Sequence, residues 1–168
     1  TGAGVCHVYV DKDADLEKAI PILINSKTHR PSVCNAAETL LVHRDIASKF
    51  LPMALKALNE SGVVLHADAE AAKAAEILGI RAQAATAENW ATEYGVLEMN
   101  VGVVDSVEDA SAHIAKFGTN HTESIVTENK ETADKFVKLS DCAAVMINAS
   151  TRFTDGEQMG FGAEIEIG

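Results

Sequence analysis

The chain has 168 residues, 47% hydrophobic and 23% charged, with a mean hydropathy of +0.03. These values exclude a disordered, collagen-like or low-complexity chain, and the length suffices for one domain with its own core. With 14 Lys and Arg against 25 Asp and Glu the net charge is −11, which argues against non-specific nucleic-acid or anionic-membrane binding but not against an anionic small substrate.

In chain order, Val5 to Val10 reads as a strand and Asp13 to Lys27 as a helix, with Leu16, Ala19, Ile20, Leu23 and Ile24 at helical spacing. Arg30-Pro31 ends that helix, because the residue before proline is pushed out of the α region. A strand at Thr39 to His43 leads into a helix over Asp45 to Ser61, closed by Gly62. Val63 to His66 is a strand, and Ala69 to Leu78 an alanine-rich helix ending at Gly79. A polar stretch without clear period runs to Glu93. Then come a strand at Met99 to Val104, a helix at Val107 to Phe117, a strand at Ser124 to Thr127, a helix at Glu131 to Ser140 and a strand at Ala143 to Asn148. Residues 149–162 read as a loop, with an edge strand at Glu164 to Ile167. The alternation predicts an α/β fold in three layers, a mostly parallel sheet between helices, forming one domain over residues 1–168.

Cys6, Cys34 and Cys142 stand at wide spacing, with no CxxC and no His/Cys ladder for zinc. Free thiols in a reducing, cytoplasmic compartment are expected. The first residues lack the basic and long apolar regions of a signal peptide. No apolar run is long enough to span a bilayer. The chain begins with a glycine turn rather than Met, as a piece of a longer protein would.

Chemistry concentrates between residues 25 and 43. Lys27, His29 and Arg30 stand just ahead of Cys34, at a helix end, in an otherwise acidic protein. Such a cluster offers donors to a phosphate or carboxylate and favours the nucleophilic thiolate. The same residues also suit a plainer role: cations complementing a helix C-terminus and a small core cysteine. Cys6 and Cys142 lie in or beside apolar strands and read as inert. His7, His43 and His66 flank strands at no metal spacing.

The segment Lys27-Thr-His-Arg-Pro-Ser-Val-Cys34-Asn-Ala-Ala-Glu-Thr-Leu-Leu-Val-His43 resembles the active-site block of the γ-glutamyl phosphate reductase family, within the aldehyde dehydrogenase superfamily. The stretch from Gly2 to Asp11, the signature from His113 to Ile125 and the loop from Asn148 to Glu164 resemble further parts of the same family, in order. The resemblance implies NADPH-dependent reduction of L-glutamate 5-phosphate to L-glutamate 5-semialdehyde in proline biosynthesis, with Cys34 as nucleophile through a thioester. It implies a cytoplasmic homo-oligomeric parent whose cofactor-binding and oligomerisation segments lie outside this chain. Glu93 falls where the superfamily places a carboxylate on the nicotinamide ribose. Charge and position make Lys27, His29 and above all Arg30 candidates for the leaving phosphate, while Arg152 and Phe153, in the closing loop, are candidates for the substrate, Arg152 for its α-carboxylate. Two other readings remain: an aldehyde-oxidising dehydrogenase of the same superfamily, which would have no phosphate to bind, and a catalytically silent interaction domain. No glycine-rich dinucleotide fingerprint is present, so the isolated chain is expected to fold without turning over.

Overall fold

A computed structural model describes residues 4–152 and 164–167. Among them, eight strands form one sheet: β1 (Cys6–Val10), β2 (Ala37–His43), β3 (Val64–Ala67), β4 (Gln83–Ala84), β5 (Glu98–Val104), β6 (Thr122–Val126), β7 (Ala144–Ile147) and β8 (Glu164–Ile167). Their order is β4-β3-β5-β2-β1-β6-β7-β8. Every pairing is parallel except β7 with β8, which is antiparallel. The expected mostly parallel sheet between helices is what forms, with β8 as an edge strand.

The helices are α1 (Leu16–Thr28), α2 (Arg44–Glu60), α3 (Ala69–Leu78), α4 (Ala87–Trp90), α5 (Val107–Phe117) and α6 (Lys130–Leu139). Side chains alternate between sheet faces, so Val8, Val10, Leu40, Val42, Met99 and Val101 join α1, α2 and α3 in one apolar layer. Tyr9, Leu41, Ile125, Val145 and Ile147 face the other way and meet Ala110 and Ile114 of α5 and Ala133 and Phe136 of α6. Boundaries follow local chemistry. Asp15, Asp68, Ser106 and Asn129 cap α1, α3, α5 and α6 by accepting backbone N–H groups. Gly62 and Gly79 follow α2 and α3 at φ +77° and +71°, the left-handed region where a side chain is strained.

Two elements arise where no period was legible. β4 has two residues at the sheet edge, and α4 is a single turn held by reciprocal bonds between Thr86 and Asn89. No helix among the described residues is long and apolar enough to cross a membrane.

Candidate active site

The chemistry-bearing residues gather at the amino-terminal edge of the parallel strands. Open α/β sheets more often place ligands beyond the carboxyl ends. α1 ends at Thr28 with His29 as its C-cap, and two turns carry the chain into β2. The first closes with Val33 N–H donating to the Arg30 carbonyl at 3.3 Å, so Pro31 holds the second turn position, where its fixed φ fits. The second closes with Ala36 N–H donating to the Val33 carbonyl at 3.2 Å. Cys34 and Asn35 are its central residues. Cys34 is exposed, whereas Cys6 and Cys142 are buried. Burial pushes the Cys6 thiol well up and the Cys142 thiol to about 11, so neither is a ready nucleophile.

The chain entering β1 lies directly against the Cys34 turn. A Cβ on Gly4 would stand 2.0 Å from the Cys34 carbonyl oxygen and 3.0 Å from Glu93 Oε2, so only glycine fits. Gly4 N–H donates to Glu93 Oε2 at 2.7 Å, and the Cys6 thiol donates to the Cys34 carbonyl at 3.4 Å. On the other side of β1, Thr119 Oγ1 accepts from Val5 N–H at 3.1 Å. Two residues further on, His121 Nε2 lies 3.3 Å from Cys34 Sγ, with its Nδ1 2.7 Å from Thr122 Oγ1.

Of the expected site residues, Cys34 and Glu93 come together across Gly4. His29 and Arg30 are exposed where α1 passes into the turn. Lys27 corrects the expectation placed on it. Its side chain is fully buried, with Nζ 2.5 Å from Glu38 Oε1, so its charge is committed to an internal pair rather than offered to a phosphate. Desolvation lowers the Lys27 ammonium from its ordinary value and raises the Glu38 carboxyl to about 7. Glu38 Oε2 also accepts from Gly95 N–H at 3.3 Å. The pair thus ties the end of α1 and β2 to the loop that carries Glu93.

Arg152 is 2% exposed. Its guanidinium donates to Asn35 Oδ1 and, at 3.4 Å, to His29 Nδ1. It braces the turn that presents the thiol; the role of carboxylate ligand expected for it has no support in this arrangement. Phe153 lies outside the described residues. His121 is the neighbour of Cys34 that spacing did not reveal, since 87 residues separate the two. Its position directly before β6, in the stretch from His113 to Ile125, was the only available signal. No group of three or more His, Cys, Asp or Glu among the described residues could hold a metal.

The fold that carries this exposed thiol recurs in solved proteins. The γ-glutamyl phosphate reductase of Thermotoga maritima superposes on 98% of this chain at a TM-score of 0.86 and 51% identity, using 39% of its own length. The chain is a relative of the γ-glutamyl phosphate reductases. The γ-glutamyl phosphate reductase of Kineococcus radiotolerans is 55% identical over 167 residues, covering 99% of the chain. The chain spans about 39% of the length of that curated relative. A propionaldehyde dehydrogenase from Clostridium phytofermentans, at 20% identity and a TM-score of 0.71, shares the fold over 97% of the chain and 44% of its own. No family model matches the chain.

Proposed function

We propose that this chain carries the nucleophile of an NADPH-dependent γ-glutamyl phosphate reductase, which converts L-glutamate 5-phosphate to L-glutamate 5-semialdehyde and phosphate. The observation that carries the reading is the exposed Cys34 in its two-turn loop, directly after the cationic end of α1. The Cys34 thiolate attacks the acyl carbon, the bond from that carbon to the phosphate oxygen breaks, and a thioester remains on Sγ. Arg30 and His29 hold the departing phosphate, Arg30 by its two-pronged fork. The oxyanion that forms on the way needs a fixed donor. The N–H of Cys34 suits this, because the hydrogen bond that closes its turn uses Ala36 N–H instead.

The described residues fit one end of a nicotinamide cofactor. Glu93, fixed on Gly4 beside Cys34, would hold the nicotinamide ribose, whereas no glycine-rich strand–turn–helix is present among the described residues for the pyrophosphate. When bound, that group supplies the two electrons that reduce the thioester to the aldehyde.

Protection of Cys34 by inorganic phosphate tests the phosphate site. Phosphate is expected to slow alkylation of Cys34 by iodoacetamide. Arg30→Ala is expected to weaken that protection by about ten- to a hundredfold, the worth of one charged hydrogen bond of 1.5–3 kcal/mol. Protection unchanged in Arg30→Ala and in His29→Ala would remove both residues from the site. No protection at all would favour a substrate without phosphate, as for an aldehyde-oxidising dehydrogenase.

A further inference from the structure

The geometry points to His121 as the acid–base partner of Cys34. This rests on the reading of Cys34 as nucleophile and adds to it the group that takes, carries and returns the proton. A thiol must ionise before it attacks, and an unassisted cysteine is only a few per cent thiolate at neutral pH. His121 Nε2 stands 3.3 Å from Sγ, within hydrogen-bond reach for sulfur.

The ring is held for this task. Nδ1 lies 2.7 Å from Thr122 Oγ1, and Thr122 is 2% exposed at the first position of β6, in parallel register with Ala144 of β7. A hydroxyl accepts as well as donates. With Nδ1–H donating to Thr122 Oγ1, Nε2 presents its lone pair to the thiol hydrogen. After protonation, the same Nδ1–H bond persists. One orientation therefore serves both states of the ring, which is what a proton carrier needs.

The other ionisable groups around the turn are less suited. Cys6 donates its thiol to the Cys34 carbonyl. Glu93 is bonded to Gly4 N–H, and His29 Nδ1 faces Arg152. Arg30 has no proton to give or take at neutral pH. His7 and Glu123 pair with each other inside the sheet at 3.0 Å, with side chains fully buried.

The proton balances over the cycle. The thiol proton moves from Sγ to His121 Nε2, leaving thiolate and imidazolium. The thiolate forms the carbon–sulfur bond as the carbon–oxygen bond to phosphate breaks, and His121 gives its proton to the departing phosphate oxygen. The nicotinamide that the proposed activity already requires would supply the two electrons for breaking the carbon–sulfur bond. The thiolate is restored, and the proton consumed overall enters from solvent.

The test needs no cofactor. Alkylation of Cys34 by iodoacetamide is followed by peptide mapping in the 168-residue chain and in His121→Gln, at pH 7 and at pH 10. The expected result is about tenfold slower labelling of His121→Gln at neutral pH, shrinking toward equality at pH 10, where a cysteine without help is largely ionised. Equal rates at pH 7, or one constant ratio at both pH values, would overturn the inference, since a steric effect does not vary with pH. If His121→Gln does not fold, NMR titration of the His121 ring in the unsubstituted chain and in Cys34→Ser decides instead. Losing the thiolate is expected to move the midpoint to lower pH, and an unmoved midpoint would overturn the inference. Neither measurement uses an acyl phosphate, so failure of the proposed reaction remains distinguishable from failure of the pair.

Discussion

Gly4→Ala is the sharpest perturbation of the site that leaves every polar group in place. The added methyl would stand 2.0 Å from the Cys34 carbonyl oxygen and 2.8 Å from its carbonyl carbon, where real contacts of this kind do not fall below 3.0 Å. Both atoms belong to backbone, so no side chain can swing aside. The entry to β1 and the Cys34 turn must separate by about 1 Å, a displacement that costs a positioned reaction on the order of a hundredfold. The separation also strains the bond from Gly4 N–H to Glu93 and the contact of the Cys6 thiol with the Cys34 carbonyl. The stability cost should be about 1–3 kcal/mol, as for overpacking elsewhere. Urea unfolding reads the stability, and the rate of Cys34 acylation by acetyl phosphate reads the positioning. Gly4→Ala with the stability and acylation rate of the unsubstituted chain would refute the close approach on which the site is built.

The remaining predictions concern the thiols and the buried pair. Brief iodoacetamide treatment at neutral pH should label Cys34 first, with Cys6 and Cys142 reacting only on unfolding, because burial holds both in the thiol form; mass mapping reads the order. Lys27→Met should destabilise the chain by about 3–5 kcal/mol by leaving Glu38 buried without its partner. Lys27→Met combined with Glu38→Leu should recover most of that loss, short of the Gly95 hydrogen bond, in urea unfolding. Burial raises the Glu38 carboxyl from 4.5 to about 7, so the folded chain keeps a proton that the unfolded chain releases. Its contribution to stability is therefore present in full below pH 4.5 and lost as the pH rises through about 7. Unfolding across that range should show the slope in the unsubstituted chain, and the double variant should lack it.

The sequence legibly marks what local patterns decide. The strands and long helices follow from apolar period, capping residues and glycine stops. The exposed turn of Cys34 follows from Pro31 and the cations ahead of it. Non-local pairing decides the rest. Lys27 looks like its neighbours His29 and Arg30 in sequence, and only Glu38 on β2, 11 residues on, turns it inward. Arg152 stands in a loop with the composition of a surface, yet the chain turns back at Asn148, with φ +54°, and carries it under the Cys34 turn. His121 meets Cys34 because β6 and β2 flank β1 in parallel register, a placement that no short-range signal encodes. β4 and α4 are too short for any period to emerge, and what holds them is an edge pairing and one capping box.

The central claim, that Cys34 takes an acyl group from an acyl phosphate, is tested most directly by mass spectrometry of the 168-residue chain after exposure to acetyl phosphate, with released phosphate measured in parallel. The account predicts one hydroxylamine-labile acetyl group on Cys34, one phosphate released for each, and neither in Cys34→Ser. Acetylation confined to lysines, or equal phosphate release by Cys34→Ser, would contradict it.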